Sequence, residues 1–279
     1  MRQLIIATII ALLSACTVDY DTDSHSDIVV EGWIDSGGFP VVMLTRSIPI
    51  STEYQSLDSL DNYIERWATV NVSNGERNVT LIGTYNNNYY PPYIYTTTDM
   101  RGEVGKTYSL TVDCADGTHA EAITTVPEPV RIDSFKQARV ETSDTLRQLY
   151  GFITDKHIDT KYYKLFTHVQ GYKYGYMSSY LGITNSDILP SDGKIAVNKG
   201  RINMEKNFTP YFAVGDVVMV KLARIDDAAY QFWRDFEDMT TLSRNPLFPV
   251  TNNMHSNIKG GLGYWFGYGS SSYIVKISK

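Results

Sequence analysis

Hydrophobic and polar residues alternate over short stretches from residue 28 onward, and turn residues separate these stretches. Alternation with a period of two gives a strand one apolar and one polar face, so it predicts half-buried β-strands. The turn Ser73-Asn74-Gly75 supports one such pair, because Asn-Gly supplies the positive φ angles that a tight hairpin needs. Three hairpins are predicted: 28–34 with 41–47, 68–72 with 78–82, and 107–113 with 119–125.

These short strands and their turn spacing predict an immunoglobulin-like β-sandwich over residues 28–126. Two insertions interrupt the pattern. Residues 56–67 could form a short helix. Residues 86–93 are predicted to form an irregular loop, because Pro91 and Pro92 cannot donate backbone hydrogen bonds to a sheet.

A second β-rich domain is predicted over residues 127–279, after the stiff segment Pro127-Glu128-Pro129. It carries one amphipathic helix, whose start Asp226 and Asp227 can cap or charge. Apolar residues three and four positions apart would pack one face of this helix on a sheet. The whole chain is therefore predicted to be mainly β. The apolar helix positions are Ala229, Phe232, Trp233, Phe236 and Met239.

The amino terminus is typical of a bacterial lipoprotein export signal. Arg2 precedes an uncharged run over 4–13, which is too short for a permanent membrane span of about 20 residues, and Leu13-Ser14-Ala15-Cys16 follows. This pattern predicts a signal peptide over 1–15 and lipid attached to Cys16. Several acyl chains would hold the protein on a membrane. The alternative is an ordinary signal peptide followed by a coincidental cysteine.

Residues 16–27 form a predicted acidic tether, in which like charges keep a solvated linker extended. The tether also resembles the signal that sends lipoproteins of the Bacteroidetes to the outer face of the outer membrane, so we expect the protein to face the cell exterior. Its acidic residues are Asp19, Asp21, Asp23 and Asp27.

The charge of the chain argues against a nucleic-acid partner, and its cysteine content argues against a disulfide. The net charge is −6 and no cluster of Lys and Arg is present, so we expect no nucleic-acid partner. Cys114 is the only cysteine besides Cys16, so the mature chain would contain no intramolecular disulfide.

No catalytic or metal-binding motif is recognisable. None of the five histidines forms a short-spaced pair with another His or Cys, and no Gly-x-Ser-x-Gly motif occurs. We therefore expect no catalytic residues, no metal and no cofactor, although a hydrolase with an unrecognised site stays an alternative.

The chain contains 21 tyrosines, and two groups of them fall in segments with loop character. Tyrosine rings on the loops of a rigid β-scaffold can stack on a ligand or anchor a protein interface, because they lose little rotamer entropy on binding. The alternative is that these rings line strands and pack. The candidate ligand-binding residues are Tyr89, Tyr90 and Tyr93 in the first group and Tyr172, Tyr174 and Tyr176 in the second.

The order and spacing of several segments resemble one protein family, the Bacteroidetes lipoproteins grouped as domain of unknown function 4249. The resemblance implies an outer-membrane lipoprotein often encoded beside a TonB-dependent transporter, and hence an accessory role in nutrient uptake with that transporter as partner. A small ligand such as a glycan, a peptide or a metal chelate is possible, and the alternative is a structural or adhesive surface protein. The segments are 29–34, 107–112, 124–130, 132–134, 226–233 and 257–263.

Overall fold

The computed structural model describes residues 26–47, 61–154, 159–200, 208–242 and 254–279. Cys16, the predicted signal peptide and all of the tether before Ser26 lie outside these residues. The described chain is mainly β, with sixteen strands and one helix, as predicted, and it contains no helix long and apolar enough to cross a membrane.

The strands occur in the following order along the chain: β1 (Ile28–Asp35), β2 (Pro40–Arg46), β3 (Thr69–Ser73), β4 (Asn78–Thr80), β5 (Ile82–Tyr85), β6 (Tyr93–Thr96), β7 (Thr107–Asp113), β8 (His119–Thr125), β9 (Ser134–Val140), β10 (Ser143–Phe152), β11 (Tyr162–Val169), β12 (Met177–Asn185), β13 (Lys194–Val197), β14 (Phe212–Ala213), β15 (Val217–Ile225) and β16 (Leu262–Lys276). The helix α1 (Asp227–Leu242) lies between β15 and β16.

All three predicted hairpins are present, and the turn glycines explain two of them. Gly75 and Gly117 have φ angles of 86° and 87°, which favour glycine, and they join β3 to β4 and β7 to β8. The predicted strand 78–82 is divided, because Leu81 is buried and the strand changes sheets there. In the described part of the predicted 56–67 helix, only residues 61–63 form a single tight turn.

The largest sheet has eight strands, in the order β12-β11-β15-β16-β1-β2-β6-β5. Its central strand, β16, has two partners. Its first half runs parallel to β1, from Val29 opposite Leu262 to Asp35 opposite Tyr268. Its second half runs antiparallel to β15, as far as Val217 opposite Lys276. The pair of β1 and β16 is parallel, whereas the other strand pairs among the described residues are antiparallel.

Two four-stranded sheets pack on one face of this large sheet, which gives the sandwich-like arrangement of the prediction. The sheet β4-β3-β7-β8 encloses a first core with β1, β2 and β16. Trp265 of β16 is fully buried in this core, where its indole Nε1 donates to the Tyr108 carbonyl at 3.0 Å. The sheet of β9, β10, β13 and β14 encloses a second core, which contains Leu149, Leu165 and Val220.

The chain passes from the first small sheet to the second directly over β16. A Cβ atom on Gly267 would lie 2.5 Å from the Thr125 carbonyl oxygen, and one on Gly269 would lie 2.5 Å from that of Pro127. Only glycine allows so close a backbone crossing. Since β16 completes the core of the predicted 28–126 sandwich, strands from both predicted domains share one sheet, and the domain limits themselves stay a prediction.

Helix α1 covers part of the opposite face of the large sheet and confirms the predicted amphipathic helix. Asp226 caps it, because its Oδ1 accepts the Ala229 N–H at 2.8 Å. Phe232 and Trp233 are 6% exposed and pack on aromatic residues of the sheet. The predicted stop at 245–246 lies outside the described residues.

Candidate functional site

The face of the large sheet that carries α1 also carries an ion pair beside the helix. Asp35 on β1 lies opposite Tyr268, and Lys221 on β15 lies opposite Phe166, so the alternation of the strands turns these four side chains to the same face. The Lys221 Nζ donates to both Asp35 carboxylate oxygens at 3.2 Å, and Ser270 Oγ donates to Asp35 Oδ1 at 2.5 Å.

Three aromatic rings surround the Lys221 ammonium. Its Nζ lies 4.6 Å from the ring centroid of Phe166, 5.4 Å from that of Tyr268 and 5.5 Å from that of Tyr176. Ring faces attract a cation, and the Asp35 carboxylate balances its charge. Lys221 is therefore a buried, fully partnered cation, and Tyr176 at the rim is 42% exposed.

Residues 86–92, here called the Tyr89 loop, form an irregular segment as predicted. Asn86 closes it, since its N–H donates to the Pro92 carbonyl at 2.8 Å and its Oδ1 accepts the Asn88 N–H at 3.0 Å. The Tyr89 ring lies 6.0 Å from that of Trp33 and is partly buried. Burial, with a smaller contribution from the Asp35 charge, raises the pKa of Tyr89.

Residues 170–176, here called the Tyr174 loop, join β11 to β12. The loop begins with a turn in which the Tyr172 N–H donates to the Val169 carbonyl at 3.0 Å and Gly171 has a φ of 90°. Tyr172 is 48% exposed, and Lys199 Nζ lies 3.2 Å from its hydroxyl. The ring of Tyr176 lies 6.5 Å from that of His168 on β11.

The two loops, far apart in the sequence, contact each other. The Gly175 N–H donates to the Asn88 carbonyl at 2.7 Å, and the rings of Tyr90 and Tyr174 lie 5.7 Å apart, edge to face. The structure therefore places the Tyr89 loop against the Tyr174 loop and both beside the Asp35 and Lys221 pair.

Tyr93 is the candidate that the structure places elsewhere. It begins β6 and packs against the first core, between Tyr85 and Tyr95, at centroid distances of 5.1 and 5.5 Å. Its hydroxyl faces the Arg66 carbonyl at 3.5 Å. Strand alternation turns Tyr93 to the face opposite Ile94, so it lies apart from the loop contact.

Two further polar groups lie on the same sheet face, and one of them, Glu31, was not singled out from the sequence. Glu31 is partly buried among aromatic side chains, and this burial raises the pKa of its carboxyl to about 7. The His168 Nδ1 is buried and has no hydrogen-bond partner among the described residues. A charged residue within a Val-rich strand was the available signal for Glu31, but the burial depends on neighbouring strands.

The described histidines otherwise form surface pairs. His119 Nδ1 lies 2.7 Å from Asp113 Oδ1 across the β7 and β8 hairpin, and His255 Nδ1 lies 2.6 Å from Asp235 Oδ2. In the parts of the chain with described positions, no three His, Cys, Asp or Glu residues are grouped as metal ligands would be. Cys114 is buried, and burial raises the pKa of its thiol.

Comparison with known proteins gives a family and no characterised relative. No curated protein matches the chain. The match to the family described as domain of unknown function (DUF4249) extends over residues 16–274, and the chain therefore belongs to this family.

Proposed function

We propose that the protein is a lipoprotein of the Bacteroidetes outer membrane, anchored by lipid on Cys16 and facing the cell exterior. There it serves as a non-enzymatic accessory to a TonB-dependent nutrient transporter, and its tyrosine-bearing loops bind a small ligand or the transporter itself. The export signal, the acidic tether and the membership of the DUF4249 family support this proposal.

The observation that carries the binding role is the contact between the Tyr89 loop and the Tyr174 loop. The hydrogen bond from Gly175 to Asn88 and the pair of Tyr90 with Tyr174 hold the two loops together over strands of the large sheet. Partly exposed tyrosine rings on loops that are held in place can bind a ligand at low entropic cost, because few side-chain rotamers are lost on binding.

Two lysines beside the rings favour a ligand with acidic groups. The Lys173 Nζ lies 5.1 Å from the centroid of the Tyr174 ring, and the Lys199 Nζ contacts Tyr172. A carboxylate held by these ammonium groups would place an attached sugar ring or peptide plane against the tyrosines. Among glycans, peptides and metal chelates, we therefore expect the acidic members of each class to bind best.

Calorimetry with neutral and acidic glycans, peptides and iron chelates tests the loops. The double variant Tyr172→Ala/Tyr176→Ala should weaken binding at least tenfold, since each aromatic contact contributes about 1 kcal/mol or more. Ile123→Ala is the control, because Ile123 is 65% exposed and lies on β8 of the first small sheet, away from the two loops. Equal losses in the two variants would exclude these loops as the ligand site.

The transporter partnership needs its own experiment. The protein should co-purify with a TonB-dependent transporter from detergent-solubilised outer membranes, and its amino-terminal peptide should carry the mass of acylated Cys16. A lipid-modified protein that is never recovered with a transporter would contradict the accessory role.

A structural or adhesive role is the second candidate, and one feature of the described residues favours it. Ile82 is 71% exposed and lies on β5, the outer strand of the large sheet, where backbone groups can pair with a strand of another protein. An adhesive protein would bind purified surface proteins through Ile82 and would bind none of the small ligands.

A further inference from the structure

The described chain begins at one end of the large sheet and is fastened there by hydrogen bonds. The Ser26 hydroxyl donates to the Ser47 carbonyl at 2.7 Å, and the Asp27 N–H donates to Ser47 Oγ at 2.8 Å. Because β2 ends at Arg46, the tether enters the folded body beside the end of that strand. The position at which the tether leaves the body is therefore fixed.

A chain of contacts leads from this point to Trp67. Arg46 Nη1 faces the Ser26 carbonyl at 3.5 Å, and Arg46 Nη2 donates to Glu65 Oε2 at 2.8 Å. The other oxygen of the same carboxylate, Oε1, accepts the Trp67 N–H at 3.0 Å. Trp67 thus lies two hydrogen-bonded residues away from the tether.

Trp67 is exposed to an extent that is unusual for a tryptophan. It is 83% exposed, whereas Trp233 is 6% exposed and Trp265 is fully buried. The neighbouring Arg66 guanidinium lies 5.8 Å from the ring centroid of Tyr85, which is 62% exposed. Tryptophan and tyrosine are the side chains enriched at membrane interfaces, because their rings are apolar and their N–H or O–H groups are polar.

The length of the tether limits how far this end can be from the anchor. Ser26 is the tenth residue after Cys16, and a fully extended chain spans at most about 3.5 Å per residue, or about 35 Å in all. The tether therefore keeps the end that bears Trp67 within about 35 Å of the lipid on Cys16.

We propose that Trp67 and Tyr85 rest in the headgroup region of the membrane and set the orientation of the body on it. This inference rests on the proposed lipid anchor. The occupant of the surface is a lipid layer, and the aromatic rings make the contact. Nearby charges are balanced, because Arg46 pairs with both Glu65 and Asp116, so the contact does not require anionic lipid.

A control position for this orientation lies at the end of β16 that is distant from the tether. Ile274 lies twelve residues after Leu262 on β16, and at about 3.3 Å per residue the two are about 40 Å apart along the strand. Leu262 pairs with Val29 next to the tether, so Ile274, which is 74% exposed, marks the far end of the strand. It is a matched control position.

Fluorescence quenching tests the proposal on the lipid-modified full chain. The protein is reconstituted into vesicles of unlabelled phosphatidylcholine or of phosphatidylcholine with bromine atoms near the top of the acyl chains. Brominated lipid should quench the wild-type emission, and Trp67→Phe should lose that quenching. Trp67→Phe/Ile274→Trp, which has an exposed tryptophan at the far end, should stay unquenched. High salt should leave the wild-type result unchanged.

The outcomes separate this inference from the proposed function. Lipid-modified protein whose Trp67 is unquenched would overturn the membrane contact and would leave the lipid anchor intact. Equal quenching of Trp67 and of a tryptophan at position 274 would overturn the fixed orientation. An unmodified amino terminus in mass spectrometry would overturn the lipid anchor and this inference with it.

Discussion

Lys164 and Glu237 form an ion pair between β11 and helix α1, with the Nζ and Oε1 atoms 2.6 Å apart. The Lys164 side chain is fully buried, and burial lowers its pKa despite the nearby carboxylate. Glu237 Oε1 also accepts the Ile183 N–H at 3.0 Å, so one carboxylate joins the helix to two strands.

Removal of one partner should therefore leave a buried charge without compensation. Glu237→Ala is expected to lower the free energy of unfolding by about 3 kcal/mol, as measured by urea denaturation. Asp238→Ala is the control, because Asp238 is the exposed neighbour on the same helix and should cost less than about 0.5 kcal/mol. The double variant Lys164→Met/Glu237→Met should regain much of the loss, and an additive loss would argue against a coupled pair.

The pair of Lys221 with Asp35 should also matter for the loops above it. Lys221→Met leaves the Asp35 carboxylate with Ser270 as its polar partner, and we expect a loss of about 2 kcal/mol in unfolding free energy. The Lys221→Met substitution should also increase amide hydrogen exchange in the Tyr174 loop, since the Tyr176 ring packs beside the Lys221 ammonium. Unchanged exchange at Gly175 would show that the loop contact is independent of the ion pair.

Glu31 should make the protein less stable as the pH rises towards neutrality. Its pKa is raised to about 7 from 4.5, so between these values the folded state holds a proton that the unfolded state releases. Stability should fall as the pH increases from about 4.5 to about 7, by up to about 3 kcal/mol at 1.36 kcal/mol per pKa unit.

Urea denaturation at several pH values checks this expectation. Glu31→Gln should flatten that part of the pH profile, whereas Glu128→Gln, at an exposed carboxylate, should keep it. A Glu31→Gln profile that parallels the wild type would mean that other groups cause the pH dependence.

Gly267 should tolerate no side chain. A Cβ atom there would meet the Thr125 carbonyl oxygen at 2.5 Å, and Gly267 itself is buried, so neither backbone can move aside freely. We expect Gly267→Ala to lower the unfolding free energy by more than about 2 kcal/mol, or to abolish folding. Gly117→Asn, in a turn with open space around it, should cost less than about 1 kcal/mol, since Asn accepts a positive φ. Similar losses of unfolding free energy at Gly267 and Gly117 would contradict the close backbone crossing over β16.

Local signals in the sequence were enough to predict much of the fold. Asn74-Gly75 identified one hairpin, and the spacing of Ala229, Phe232 and Trp233 identified the helix and its buried face. These features depend on a few neighbouring residues, so tertiary packing did not override them.

The full length of strand β16 could not be predicted from the sequence, because its first half has no alternation. Tyr264 and Phe266 pack under helix α1, whereas Trp265 packs in the first core, so successive residues are all buried. Gly263, Gly267 and Gly269 also interrupt the apolar pattern, because each lies against the backbone of another segment. These close backbone contacts involve segments that are distant in the sequence, so they could not be predicted from the neighbouring residues.

The candidate site was predicted as two separate groups of tyrosines. Loop character was visible from Pro91 and Pro92, but the contact between Asn88 and Gly175 depends on how eight strands are ordered. Tyr93 was grouped with Tyr89 and Tyr90 because the first residue of β6 could not be located from the sequence, and its role in binding stays a prediction.

The two-partner pairing of β16 has a consequence for how the molecule assembles. Val29 finds its parallel partner at Leu262, more than 200 residues later, so the earliest strand cannot be completed until the latest one arrives. Contacts of such long sequence separation form slowly, because a large loop must close before they stabilise anything. A nascent chain would thus remain without the central pairing of its largest sheet until synthesis is nearly complete.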